Sequence, residues 1–191
     1  MTASPEIVEL SPGEFVNHRE EVVDVYRVAF AEQHYPHPQN EVSRLADVVS
    51  QHAQRVGFKC CVVREGPHDP VRGVGYGYTS APGQWWHDVV AAGLAPADAR
   101  TWLSDCFEVV ELHLSPALQG RGLGGGLHDA LLDGLPHKTA ALSTLAQETP
   151  AQIMYKKRGW IPLLEHFSFP GGTKPFLIMG LDLGARRTSS A

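Results

Sequence analysis

The chain has 191 residues, 43% of them hydrophobic and 19% charged, with a formal net charge of −5 at pH 7. That is enough chain for one well-buried domain, with the composition of a soluble globular protein. Its basic residues cluster only at Lys156-Lys157-Arg158 and Arg186-Arg187, and no apolar run reaches about 18 residues, which argues against nucleic acid as a main partner and against a membrane span. The first residues carry neither a basic nor an apolar leader, and the three cysteines, Cys60, Cys61 and Cys106, are an odd number without metal-ligand spacing. A reducing compartment, the cytoplasm, is the expected location. The 10 histidines form no helical ligand pair, so no metal site is expected.

Ile7 to Leu10 is suited to an edge strand. Ser11-Pro12-Gly13-Glu14 reads as a helix start, with Ser11 as N-cap and Glu14 closing a capping box. Phe15, Val22, Tyr26 and Ala29 then share a face, and the helix is expected to stop near His34, ahead of Pro36 and Pro38. The stiff loop Tyr35 to Asn40 leads to a second amphipathic helix through Val42, Leu45, Val49 and Val56, ended by Gly57. Phe58 to Arg64 is strand-like, and Val74, Tyr76 and Tyr78 alternate with Gly73, Gly75 and Gly77. The pair reads as an antiparallel hairpin whose glycine side admits another element close to the sheet. Residues 81–105 show no clean pattern beyond a short helix around Asp98 to Trp102. A connection that long suggests a functional flap or pocket wall, with Trp85 and Trp86 in it, or else a satellite core that both tryptophans fill.

Phe107 to Leu114 is an apolar, β-prone run, followed by Ser115-Pro116 and the loop Gln119-Gly120-Arg121-Gly122-Leu123-Gly124-Gly125-Gly126. Leu123, Leu127, Ala130 and Leu131 recur at helical spacing, so the order is strand, glycine-rich turn, helix. Such a turn presents unpaired N–H groups at a helix N-terminus, a ready anion site. Thr139 to Leu145 reads as a buried strand and Thr149-Pro150 as a helix start with Gln152 closing its box. The basic triplet fits the last turn before Gly159, and two closing strands follow, Trp160 to Phe169 and Pro175 to Leu183. A single domain is expected over 1–184, with 185–191 a disordered tail.

Three readings of the loop compete with an empty turn. Gly120-x-Gly122-x-x-Gly125 matches the dinucleotide fingerprint, but Lys138 to Gln147 lacks the acid that would hold a ribose. The Gly-Lys-Ser/Thr of a phosphate-binding Walker loop is absent. A turn without a ligand would leave the entropy cost of so many glycines unexplained. Gln119-x-x-Gly122-x-Gly124, with the preceding Leu112-His113-Leu114-Ser115-Pro116 and the later Tyr155-Lys156-Lys157-Arg158-Gly159-Trp160, resembles the acyl-CoA-binding pattern of the GNAT superfamily of N-acetyltransferases.

The resemblance implies a single-domain α/β (α+β) GNAT fold: a mixed, mostly antiparallel sheet with splayed central strands, flanked by helices. It implies acetyl-CoA as co-substrate, with the loop at Gln119, Gly120, Arg121, Gly122, Leu123, Gly124 and Gly125 cradling its pyrophosphate. The backbone of Leu112, His113 and Leu114 would pair with the pantetheine arm. Glu148 stands where family members carry an Asn against the cofactor. Acyl transfer also needs a base for the amine, since an alkylamine is mostly charged at neutral pH. Strict alternation puts Glu108 with Val110, Leu112 and Leu114 on one strand face and Glu111 with His113 on the other. The resemblance favours Glu108 as base, with Glu111 next, and Tyr155 as the acid for the CoA thiolate. Tyr35, His37, Trp85 and Trp86 could hold a cationic or aromatic acceptor by stacking and cation–π contact. The expected acceptor is a small-molecule amine, with a protein or peptide amine second and a non-catalytic acyl-CoA-binding module third. The oligomeric state is left open, a homodimer included.

Overall fold

The structure, a computed structural model, describes residues 4–31 and 39–185. The chain runs β1 (Glu6–Leu10), α1 (Pro12–Asn17), α2 (Arg19–Ala31), α3 (Gln39–His52), β2 (Lys59–Arg64) and β3 (Gly73–Ser80). It continues with α4 (Trp85–Gly93), α5 (Pro96–Leu103), β4 (Cys106–Leu114), a 3-10 turn (Pro116–Leu118) and α6 (Leu123–Leu132), then β5 (Thr139–Leu145), α7 (Pro150–Lys157), β6 (Ile161–Phe167) and β7 (Phe176–Asp182). The strands form one sheet in the order β1-β2-β3-β4-β5-β7-β6. Four pairings are antiparallel: β1 with β2, β2 with β3, β5 with β7, and β6 with β7. β4 pairs β5 in parallel, with Cys106, Phe107 and Glu108 opposite Thr139, Ala140 and Ala141. The mixed, mostly antiparallel sheet thus matches the sequence reading. No helix among the described residues is long and apolar enough to cross a membrane.

Two compact units share the chain: Met1–Tyr78 with Val110–Gly134, and Thr79–Val109 with Leu135–Ala191. In the first, β2 is buried on both faces. Cys60 and Val62 join Phe15, Val22, Val49 and Tyr76 in one cluster, while Cys61 and Val63 join Leu114, Leu118 and Leu127 in another. Burial on both faces explains the strand's unbroken apolar run. The bare glycine side of β3 receives α6 as expected: a Cβ on Gly75 would lie 3.3 Å from Leu127 Cγ.

The capping box forms, with Glu14 N–H donating to Ser11 Oγ and Ser11 N–H donating to Glu14. The single helix expected beyond it is instead two, broken at His18. Side chains hold the break: His18 Nδ1 bonds Glu21 at 2.9 Å, and Arg19 donates to the Val16 carbonyl at 3.2 Å. α3 also ends earlier than the apolar spacing suggests, at His52, which leaves Val56 81% exposed in the turn before Gly57. The loop bearing Tyr35 and His37, and the tail from 186, lie outside the described residues.

In the second unit, residues 81–105 hold α5 (Pro96–Leu103), over the short helix expected around Asp98 to Trp102, and also α4, which had no sequence signal. Neither helix has a side-chain N-cap, and α4 lacks a proline start as well, whereas α5 opens on Pro96. Trp86, Val90, Leu94 and Leu103 pack with Cys106, Ala141 and Ile178. Thr149 caps α7 by accepting from Gln152 N–H, but Gln152 does not close the box, because its amide donates to the Leu145 carbonyl at the end of β5. All three thiols are free and buried; burial pushes Cys61 up to about 11, Cys106 up to about 12, and Cys60 well above its ordinary value.

A Cβ on Gly180 of β7 would fall 2.7 Å from Trp102 Cε3 and 2.9 Å from Leu163 Cδ1, and an indole cannot yield as a flexible chain end does. Gly180→Ala is expected to destabilise the protein by about 1–3 kcal/mol, lowering the melting temperature by roughly 3–10 °C. Gly13→Ala, where a Cβ meets nothing within 4 Å, should leave it unchanged or slightly raised. Equal melting temperatures for both variants in calorimetry would refute the packing argument.

Candidate functional site

In the first unit, β4 delivers the chain into the glycine loop through a braced turn. Ser115 N–H donates to the Arg72 carbonyl at 2.8 Å, and Leu118 N–H to the Ser115 carbonyl at 2.9 Å. Gln119 donates twice, its N–H to Pro116 and its side-chain amide to the Leu114 carbonyl at 3.1 Å. It therefore fastens the loop to the strand end. Gly120 and Gly122 then adopt left-handed φ of 70° and 80°, and Gly122 is the N-cap of α6. An L side chain is strained there, although a Cβ at either position would meet nothing within 4 Å. The first turn of α6, from Leu123, has no capping side chain, and its first return bond runs from Gly126 N–H to Gly122. The N–H groups of Leu123, Gly124 and Gly125 precede that bond at the positive end of the helix dipole, and Arg121 beside them is exposed. An uncapped helix N-terminus built from glycine, with open space around it, is a geometry suited to an anion.

The same unit brings Glu111 and His113 together, the imidazole Nε2 hydrogen-bonded to the Glu111 carboxylate. Both line a solvent-open recess of about 220 Å³, mouth included, with Val22, Tyr26, Val49, Val74 and Tyr76. The Tyr26 ring stands edge-on to His113 at 5.4 Å. Val110 packs against the cluster that supplies those walls, so Val110 and Glu111, adjacent in sequence, lie to one side of the strand. The strict alternation that puts Val110 with Leu112 fails at this point. Leu112 and Leu114 pack with Leu127 as expected.

Behind the recess, His52 Nδ1 bonds the Tyr76 hydroxyl at 3.2 Å, and the Arg55 guanidinium lies 4.9 Å over the Tyr78 ring. Burial, and secondarily Arg55, hold the His52 imidazole down to about 4 despite the opposing pull of Glu111. It is neutral at physiological pH. Apolar periodicity marks Tyr26 and Tyr76 only as core positions, and His52 carries no motif at all; only the tertiary structure joins them to Glu111.

In the second unit, Glu108 is 4% exposed in the paired segment of β4, opposite Ala141. Tyr155 on α7 is buried, its ring 5.6 Å from that of Trp160. The two tryptophans part company. Trp86 is buried and donates its indole N–H to Ser143 Oγ at 3.3 Å, while Trp85 is 60% exposed and stacked on Phe169 at 5.3 Å. Glu148 is exposed ahead of α7.

No family model matches the chain. It is 37% identical over 123 residues to the GCN5-like protein acetyltransferase Rv2170 of Mycobacterium tuberculosis, a match covering 60% of this chain and 59% of that protein. The chain thus spans less than two thirds of that curated relative. Among solved structures it resembles an acetyltransferase of the GNAT family from Staphylococcus aureus Mu50, with a TM-score of 0.64 at 10% identity, covering 94% of this chain and 99% of that one. Similar too is yncA from Salmonella typhimurium, solved with its cofactor acetyl-CoA, with a TM-score of 0.62 at 14% identity over 95% of each chain. The ribosomal-protein-S18-alanine N-acetyltransferase of Escherichia coli gives 0.62 at 13% identity over 94% of each.

Neutral His52 makes a pH prediction. In the unfolded chain its imidazole titrates near the ordinary 6.5 and takes up a proton first, so the stability tied to the neutral ring is full above that pH and is lost as pH falls toward about 4. The urea midpoint should fall between pH 7 and pH 5, and fall less in His52→Gln, which keeps a partner for Tyr76. His87 and His137, lowered by burial in the same direction, supply the remaining slope. An identical fall in both proteins would locate the effect elsewhere.

Proposed function

This chain has the GNAT fold and is similar in sequence to a GCN5-like acetyltransferase, and on that premise we propose that it transfers an acetyl group from acetyl-CoA to a primary amine. Attack is direct, within a ternary complex, and the acceptor is a small molecule. The observation that carries the reading is the uncapped, glycine-built N-terminus of α6, left-handed at Gly120 and Gly122, directly after a strand bearing Glu108 and Glu111. The loop from Gln119 to Gly125 holds the pyrophosphate of CoA, and the backbone from Leu112 to Leu114 serves the pantetheine arm. One acceptor there, the Leu114 carbonyl, already receives the Gln119 amide. One strand carboxylate, Glu108 or Glu111, removes the amine proton, Tyr155 protonates the departing thiolate, and the reaction belongs to the cytoplasm. Tyr35, His37, Trp85 and Trp86 remain assigned to the acceptor.

A protein amine is the second reading, favoured by the name of the Mycobacterium tuberculosis relative. Acetyl-CoA incubated with a panel of free amines and of lysine peptides separates the two. Transfer to neither, with CoA still bound, would leave only a binding module.

Gly122→Val should weaken acetyl-CoA binding in calorimetry at least a hundredfold, while the strain of a left-handed valine, about 1–2 kcal/mol, lowers the melting temperature by only roughly 2–8 °C. Unchanged affinity would remove the loop assignment. Replacing Glu108 and Glu111 together by glutamine should lower kcat about 10²–10⁴-fold with acetyl-CoA affinity retained; retained turnover would exclude both carboxylates as base.

A further inference from the structure

We propose that Gln119 is a positioning residue: its side-chain amide closes the outermost carbonyl on the open edge of β4 and so sets the register in which the pantetheine arm of acetyl-CoA pairs with that strand. The inference rests on the acetyl-transfer reading and deepens it.

The edge follows from the peptide plane. The Ser115 N–H donates to the carbonyl of Arg72, just before β3, at 2.8 Å. No peptide bond among the described residues is cis. The carbonyl of the same peptide unit, that of Leu114, therefore points the opposite way, off the edge of β4 turned from β3. On that edge the pairing with β5 runs from Cys106 to Glu108, well short of Leu114. Leu112 and Leu114 pack into one cluster and so share a face. Alternate residues of a strand turn their N–H and C=O groups to the same edge. An extended, amide-bearing chain can pair with such groups in the manner of an added strand.

Gln119 takes one acceptor away. A backbone carbonyl can only accept, so the side chain presents its NH2 to Leu114, at 3.1 Å, while its own N–H donates to Pro116. The Leu112 carbonyl is then the outermost acceptor left to a ligand on this edge. Same-edge groups recur about every 6.8 Å along a strand. Pairing at Leu114 instead would hold the acyl end back toward the loop by about that distance. A misplacement of roughly 1 Å already costs about a hundredfold in rate, so register decides whether the bound thioester is productive.

The second unit uses the same device for a different end. The Ala146 N–H donates to the carbonyl of Pro175, just before β7, at 3.0 Å, so the Leu145 carbonyl leaves β5 on the edge turned from β7. There the Gln152 amide takes it. The two caps differ in burial: Gln152 is 4% exposed within α7, whereas Gln119 is exposed on its loop. The buried cap ties its helix to its strand. The exposed one has no such packing to serve, because Leu114, Leu118 and Leu127 form the core beneath the loop.

The test compares the full chain with Gln119→Met, which keeps the length of the side chain and removes the donor. Calorimetry uses acetyl-CoA and, separately, adenosine 3′-phosphate 5′-diphosphate, the nucleotide end without the pantetheine arm. In the variant acetyl-CoA should bind about two- to tenfold more tightly, the worth of one added hydrogen bond, with affinity for the diphosphate unchanged. With a primary amine as acceptor, kcat and the KM for acetyl-CoA should fall by a like factor and leave kcat/KM unaltered, the signature of a nonproductive register. A residue that merely fastens the loop gives the reverse, weaker binding of both ligands and a raised KM. That result overturns the proposal, and so do constants unchanged throughout. One measurement needs no variant to fold. In wild type the Gln119 side-chain NH2 protons should stay protected from solvent exchange, followed by NMR, when acetyl-CoA is bound, and their release on binding overturns the proposal. In each of these cases the acetyl-transfer reading stands, whereas wild type that binds neither ligand removes that reading together with the proposal.

Discussion

Leu114 is the residue on which the first unit turns. Its carbonyl is held by the Gln119 amide, and its side chain is pressed against Gly73 on one side and lies 3.4 Å from where a Cβ on Gly124 would be. Because Gly73 has no side chain, a full leucine fits at the end of β4 beside the start of α6. With Leu114 seated, Leu118 and Leu127 close over it, and the loop between them leaves the strand in one direction. The shape of the glycine loop is therefore a product of core packing. Its backbone geometry is fixed by what lies beneath it rather than by the loop's own residues, which are too small to enforce it.

The same strand carries different jobs on its two sides. Leu112 and Leu114 supply adhesion to α6, while Glu111 and His113 face the recess under α2 and α3. With Val110 on the recess side as well, the strand gives up regular alternation where the acid and base groups begin. Such local irregularity re-aims side chains without moving the strand. Glu111 and His113, two residues apart and on one face, form a hydrogen-bonded pair there.

Local chemistry was legible in the sequence, and nonlocal chemistry was not. The Ser11 capping box, the left-handed Gly159 that closes α7, the edge strand and the glycine side of β3 all follow from a few neighbouring residues. The break at His18 was hidden because the apolar face of α1 and α2 stays in phase across it. α4 was hidden because Gln84 offers no side-chain cap, whereas α5 contains the short helix expected around Asp98 to Trp102. Gln152 has the spacing of a capping box but a stronger partner in the Leu145 carbonyl, which no pattern within α7 could disclose. Within the candidate site the loop was readable by motif. The recess was not, since Tyr26, His52, Tyr76 and Glu111 meet only through the packing of α2 and α3 on the sheet.

Gly122 carries a consequence beyond its fold. Nothing lies within 4 Å of where a side chain would begin, yet the left-handed φ excludes one. Handedness, rather than crowding, keeps the position bare. The surface offered to a ligand there is peptide, with no rotamers to freeze. A ligand bound there would cost none of the side-chain entropy that an arginine or lysine clamp gives up on closing.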